Sequence, residues 1–133
     1  MALLRTDRTL LLPLALLFVA ILFSVTGELL LKHGMNRLGV LELSPSLLFP
    51  ALVRTFTNPF VLMGFSSIFA GSVFWLAVIS RVPLSYAYPM LSTSYIMVLL
   101  ASWLFLGEYI TGVRILGVLV IMFGVSLVFW SGR

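Results

Sequence analysis

The sequence predicts an all-α membrane protein, a bundle of four transmembrane helices with a short interfacial helix between the first and the second. Hydrophobic residues make up 62% of the 133 positions and charged residues only 9%, whereas soluble domains are about half apolar and a quarter charged. Four apolar runs are each long enough to cross a hydrocarbon core of about 30 Å. These runs are apolar on every side, which excludes the alternating strands of a transmembrane barrel.

The first predicted span covers residues 10–31. Arg5 and Arg8 precede it, an arrangement that superficially resembles a signal peptide. The apolar run is longer than the core of a signal peptide, and no small-x-small cleavage site follows it. We therefore expect the segment to be retained as a membrane helix.

The connection after this span, residues 32–58, is long and partly apolar. Its leucines, phenylalanines and two prolines predict a short helix at residues 45–57 that lies on the membrane surface. An irregular apolar loop is the alternative that the sequence leaves open.

Three further spans follow at residues 59–80, 84–106 and 113–130. The links between them, "RVP" and "GEYIT", are short, and short links make consecutive helices antiparallel neighbours. The hydroxyl of Thr111 is placed to cap the last span. The whole chain, residues 1–133, is predicted to be one membrane domain, multi-pass and located in the inner membrane.

The charges do not fix the topology of this bundle. Four spans place both ends of the chain on one side, and each side then carries four basic residues: Arg5, Arg8, Arg81 and Arg133 on one, and Lys32, Arg37, Arg54 and Arg114 on the other. With four basic residues on each side, the positive-inside rule predicts almost no preference for either orientation. Insertion in both orientations and an orientation set by a partner both remain open.

Composition also argues against several classes of function. The chain has no cysteine and one histidine, His33, so disulfides and thiolate metal sites are excluded. Basic residues are scattered rather than interleaved with aromatics, which speaks against a nucleic-acid surface. Glu108 is expected to be a solvated or capping residue. We expect no catalytic residues, no enzymatic activity, no metal and no cofactor.

The third span opens with "VPLSYAYPMLSTSY", the most polar stretch of any span. Pro89 lacks a backbone donor and so frees a carbonyl. An aromatic belt at the membrane interface accounts for Tyr86 and Tyr88. A polar cavity accounts better for the deeper Ser92, Ser94 and Tyr95, because polar groups in lipid need partners.

Small residues mark two helix faces. Gly117 and Gly124 lie seven residues, or two turns, apart on the fourth span, and glycine lets another helix approach closely in lipid. We predict a subunit contact there, with packing inside the chain as the alternative. The stripe of Gly64, Ser67 and Gly71 on the second span is expected to pack internally. Since many transporters contain two related halves, a single four-helix unit indicates a homo- or hetero-dimer.

The segments "VPLSYAYPMLSTSYIMVLLASWLFLGE" and "GVLVIMFGVSLV" resemble the drug/metabolite transporter superfamily, including its EamA-like and small multidrug resistance members. The closest resemblance, over roughly residues 10–131, is to flippase subunits for undecaprenyl-phosphate-linked aminoarabinose. It is carried by "AYPMLS" and by a first helix of the form S-V-x-G-polar-L-x-x-K, here Ser24 to Lys32. The chain departs from small multidrug exporters, which carry a glutamate where Ser24 stands and a tryptophan where Leu91 stands.

The resemblance implies a carrier that moves a lipid-linked sugar or a similar polar headgroup across the inner membrane. Its expected substrate-binding residues are Ser24, Glu28, Lys32, Tyr88, Ser92 and Tyr95. Glu28 either faces the bundle interior and meets the headgroup, or simply pairs with Lys32 one helical turn away. A small exporter of cations or metabolites, and a non-transporting subunit of a larger membrane complex, are the alternative functions.

Overall fold

The computed structural model describes residues 3–41 and 44–131, with side chains from Leu11 onward. Its regular secondary structure within those ranges is entirely helical, and four helical segments are long and apolar enough to span a membrane, which confirms the predicted fold class. The helices are α1 Leu3–Leu38, α2 Leu48–Phe56, α3 Pro59–Ile79, α4 Leu84–Leu91, α5 Ser94–Leu106 and α6 Gly112–Ser131.

Helix α1 runs farther than the predicted span of residues 10–31, because nothing in the sequence breaks it before Gly39. Gly39 adopts a φ of 88°, which favours glycine, and its N–H closes the helix on the Met35 carbonyl at 2.9 Å. The 36 residues of α1 extend for about 54 Å, well beyond a hydrocarbon core of about 30 Å. Lys32 therefore lies within a helix and not at the start of a loop.

Helices α1 and α3 form the tightest contact in the bundle. A Cβ atom placed on Gly64 would lie 2.8 Å from the Gly27 carbonyl oxygen, and one on Gly27 would lie 2.7 Å from the Gly64 carbonyl oxygen. The Ser67 hydroxyl donates a hydrogen bond across this contact to the Phe23 carbonyl at 2.7 Å. The internal packing predicted for the small-residue stripe of the second span is confirmed.

The third span is broken near its middle, where α4 ends at Leu91 and α5 begins at Ser94. The break follows Pro89, which cannot donate to the carbonyl one turn earlier. Around the break, backbone hydrogen bonds join residues three apart, such as the bond from the Ser92 N–H to the Pro89 carbonyl at 3.1 Å. The polar serines and threonine of this span thus surround a helix junction.

The small core lies where α1, α3 and α4 meet, and α5 packs against it. Its buried members are Leu17, Ile21, Val25, Val78 and Ala87. Helix α6 contributes no residue to this core among those described, and it packs mainly on α4. Most of the α6 surface therefore remains open on the single chain.

Candidate functional site

A recess of about 280 Å³ opens between the second half of α1 and the end of α5. Four polar side chains line it together with apolar neighbours: Val25, Glu28, Leu29, Lys32, Val98, Ser102, Leu106 and Glu108. We call it the charged recess. Because Leu106 ends α5, this recess lies near one membrane boundary.

Local structure explains why these side chains meet. Glu28 and Lys32 are four residues apart on α1, so they share one helix face. Gly107 ends α5 with a φ of 64°, a left-handed conformation typical of a helix C-cap. The Glu108 N–H then bonds back to the Ser102 carbonyl at 3.2 Å. This turn holds Glu108 beside the last turn of α5 and near α1.

The ion pair in the charged recess joins Lys32 to Glu108, with 3.7 Å between Nζ and Oε1. The two side chains are 53% and 39% exposed, so the pair is reachable from outside the chain. Glu108 is thus more than the solvated or capping residue that the sequence indicated. The structure shows no ion pair between Glu28 and Lys32, and no basic group in the described part of the chain lies within 4.0 Å of Glu28.

Two carboxylates and one ammonium group give the charged recess a formal charge of −1. Glu28 is exposed at its rim, so it faces the side of the single chain and not an enclosed interior. The Ser102 hydroxyl donates to the Val98 carbonyl at 2.7 Å, which leaves its oxygen free to accept. Among the side chains that the structure describes, residues 11–41 and 44–131, no three metal-ligating groups come together. The recess therefore offers charge and hydrogen bonds to a ligand.

Ser24 and Tyr88 line a second recess, of about 180 Å³, between α1, α3 and α4. The Tyr88 ring meets the edge of Trp75 with 5.5 Å between ring centroids, and Ser72 adds a further hydroxyl. We call it the tyrosine recess. Ser24 lies one helical turn before Glu28 on α1, so the two recesses adjoin the same helix face.

Ser92 and Tyr95 line neither recess. The Ser92 hydroxyl lies 3.4 Å from the Tyr88 carbonyl of its own helix, to which it donates, and the Tyr95 side chain is 52% exposed. The structure therefore divides the six predicted substrate-binding residues: Glu28 and Lys32 in one recess, Ser24 and Tyr88 in the other, and Ser92 and Tyr95 outside both.

Gly117 and Gly124 lie on the outer side of α6. A Cβ atom placed on either glycine would meet nothing within 4 Å. Neither glycine therefore packs closely against another helix of the same chain.

Comparison with known proteins relates this architecture to a transporter family. The model of the EamA-like transporter family matches residues 9–130. Curated relatives include proteins named "probable 4-amino-4-deoxy-L-arabinose-phosphoundecaprenol flippase subunit ArnE". Those of Yersinia pestis (strain Pestoides F) and Yersinia pseudotuberculosis serotype O:3 are 48% identical over 60 residues, 45% of this chain and 53% of the relative.

The protein of the same name from Aeromonas hydrophila subsp. hydrophila is 37% identical over 70 residues, which is 53% of this chain and 61% of the relative. The chain thus spans about half the length of the curated relatives it matches. No solved structure matches it significantly.

Proposed function

Because this chain belongs to the EamA-like transporter family and is a multi-pass inner-membrane protein, we propose that it carries a lipid-linked amino sugar across that membrane. The observation that carries the proposal is the charged recess, which holds both signs of charge close to a membrane boundary. The relatives named for flippase activity on 4-amino-4-deoxy-L-arabinose-phosphoundecaprenol support this substrate class.

A headgroup with a sugar amine and a phosphate suits a recess of mixed charge. The ammonium form of the amine needs an acceptor, and Glu28 supplies a carboxylate at the rim that has no basic partner in the described chain. Lys32 is the cation for the phosphate, since the exposed Lys32–Glu108 pair leaves one side of the ammonium group accessible. Such charge-assisted bonds are short and strong, and they require no covalent step.

The polar face of α1 provides a path away from the charged recess. Ser24, Glu28 and Lys32 follow one another at intervals of four residues, so they form one stripe about 12 Å long. This stripe runs from the charged recess to the tyrosine recess, where Tyr88 and Ser72 offer hydroxyls to a sugar. Because both recesses lie on the side of the chain, the polyprenyl tail can stay in lipid while the headgroup moves along the stripe.

A second chain completes the carrier in this proposal. An ionised Glu28 exposed to lipid is costly, so its open side requires water or protein. Helix α6 offers close approach at Gly117 and Gly124, where an added Cβ atom would meet no atom of the described residues within 4 Å. The relatives are named as subunits, which supports a homo- or hetero-dimer. In the proposed dimer, the headgroup moves in a groove that the two chains share. The chain then acts as a carrier and not as an enzyme.

Co-purifying lipid tests the proposal. The full chain is purified in mild detergent from cells that make an undecaprenyl-phosphate amino sugar, and its bound lipids are identified by native mass spectrometry. We expect the amino-sugar lipid to be retained by the wild type and lost from Lys32→Gln. Arg81→Gln is the matched control, because the Arg81 guanidinium is already bonded to the Ala77 carbonyl at 2.6 Å.

Three other outcomes contradict the proposal. Retention of hydrophobic cations in place of the lipid favours the cation exporter. A stoichiometric partner protein with no bound lipid favours a non-transporting subunit. Equal loss of lipid from Lys32→Gln and Arg81→Gln means that net charge, and not the charged recess, holds the headgroup.

A further inference from the structure

Much of the apolar side of helix α2 is left uncovered by the rest of the protein. Its large apolar side chains are all exposed: Leu48, Phe49, Leu52, Val53 and Phe56. Ala51, on the opposite side, and Thr55, at the edge of the apolar side, are partly buried and line the recess at the end of α1. A helix at the surface of a soluble protein does the reverse and buries its apolar stripe. The outward apolar side of α2 therefore needs a non-aqueous environment.

Packing inside the chain does little to hold α2. A recess of about 360 Å³ separates its inner side from the end of α1, and no residue of α2 is buried. Its contact with α3 includes the stacking of Phe56 on Phe65, with ring centroids 5.5 Å apart. The position of α2 thus depends on something outside the single chain.

The start of α3 fixes the level of α2 relative to the bilayer. The Asn58 side chain caps α3 by accepting from the Phe60 N–H at 2.9 Å, and Pro59 is the first helical residue. The 21 residues of α3 extend for about 31 Å, nearly the thickness of a hydrocarbon core. Pro59 therefore lies at the hydrocarbon boundary. Helix α2 ends three residues earlier in the chain, so its last turn lies close to the level at which α3 begins.

Charge at this corner complements an anionic surface. Arg54 is exposed on the side of α2 opposite its apolar residues, where it lines the recess at the end of α1, and α2 contains no acidic residue. Arg37, in the last turn of α1, holds its guanidinium 4.6 Å from the centre of the Phe60 ring. Amphipathic helices that lie in a membrane surface combine an apolar side with basic residues at the polar flank.

We propose that α2 lies in one leaflet of the bilayer, with its apolar side among acyl chains and Arg54 bound to the phosphate of an anionic phospholipid. The inference is independent of the transported substrate. It gives α2 the role of a surface anchor for the end of the bundle where the charged recess opens.

Spin labelling of the full chain in vesicles tests the position of α2. The sequence has no cysteine, so Phe49→Cys, Val53→Cys and Ala51→Cys each give one labelled site. In vesicles of phosphatidylglycerol and phosphatidylcholine, we expect the labels at 49 and 53 to collide with oxygen more often than with a water-soluble nickel chelate. The label at 51, on the recess side, is the matched control and should show less oxygen contact.

Two results would overturn this placement. Labels at 49 and 53 that collide mainly with the nickel chelate place α2 in water. Labels shielded from both reagents place a protein partner, and not lipid, on the apolar side of α2.

Lipid preference tests the role of Arg54. The ratio of bound phosphatidylglycerol to bound phosphatidylcholine, measured by native mass spectrometry, should fall about fivefold in Arg54→Gln, the effect of one basic residue near an anionic surface. Arg54→Lys should keep the ratio. Arg81→Gln removes the same charge at the opposite end and should also keep it. An unchanged ratio in Arg54→Gln, or an equal fall in Arg81→Gln, contradicts phosphate binding by Arg54.

Discussion

Two pairs of glycines with the same spacing have opposite surroundings. Gly64 and Gly71 on α3 lie against α1, where a Cβ atom on Gly64 would lie 2.8 Å from a backbone oxygen and one on Gly71 would lie 3.1 Å from another. Gly117 and Gly124 on α6 face open space. Each pair is seven residues apart, so spacing identifies a helix face but does not identify its neighbour.

The contrast assigns different roles to the two faces. The α1–α3 contact is already made within the chain, where glycine allows two backbones to touch. The α6 face has the same capacity for close approach and no partner in the single chain. We therefore attribute folding of the chain to the first face and propose assembly for the second. Substitutions at each face should have different effects.

The largest effect is expected from Gly64→Leu. The added side chain has no space beside the Gly27 carbonyl and the Leu31 side chain, and overpacking of this kind costs about 3 kcal/mol. Unfolding of the purified chain in mixed micelles measures the loss. Gly117→Leu is the matched control and should unfold like the wild type when both are measured as monomers, since assembly would itself add stability. Equal stability of the two variants would show that the α1–α3 contact is not as close as described.

The double variant Gly117→Leu, Gly124→Leu should leave the fold intact and disrupt assembly. A Cβ atom at either position would have open space among the described residues, so leucine should be accommodated within the chain, but it keeps a second helix at a distance. Particle mass in detergent and subunit proximity in bilayers measure the outcome. If both stay at the wild-type value while the wild type is a dimer, the dimer forms through another surface.

The smallest effect is expected from Ser67→Ala, which removes the hydrogen bond from α3 to the Phe23 carbonyl. Hydrogen bonds between membrane helices contribute about 0.6 kcal/mol. Ser66→Ala is the matched control, since the Ser66 hydroxyl bonds to the Leu62 carbonyl of its own helix. A larger loss of unfolding free energy in Ser66→Ala than in Ser67→Ala would contradict the assignment.

The sequence predicted the helices well because lipid leaves the backbone few choices. Apolar runs located the four spans. The break in the third span was not predicted, although Pro89 was recognised as a residue that frees a carbonyl. The length of α1 was not predicted, because apolar character, which located the span at residues 10–31, ends near Leu31 while helical conformation continues to Leu38. Near Leu31 the expected surroundings of the helix change from lipid to water, but its backbone conformation does not change.

The site was harder to predict because it depends on contacts between distant segments. Glu28 and Lys32 were recognisable as a pair on one helix face, but the partner of Lys32 is Glu108, 76 positions farther along the chain. The only sequence signal was that both residues fall at the same membrane end. Tyr88 lies in a separate recess, and no periodicity within its own helix could show which part of α1 it would meet.

Headgroup movement by Glu28 variants tests the central claim most directly. The full chain, with any partner that it requires, is reconstituted in vesicles that contain the amino-sugar lipid, and movement of the headgroup across the membrane is followed by its accessibility to an amine reagent. Glu28→Gln removes the charge and keeps the shape, whereas Glu28→Leu removes the hydrogen bonds as well. Arg81→Gln, at the opposite end of the bundle, is the control.

If Glu28 binds the amine as a carboxylate, both variants should lose at least tenfold in rate, since a hydrogen bond to a charged group contributes about 1.5–3 kcal/mol. The control should move lipid at the wild-type rate. If both Glu28 variants are made normally and move the lipid as fast as the wild type, Glu28 is not a headgroup ligand and the proposed role of the charged recess is wrong.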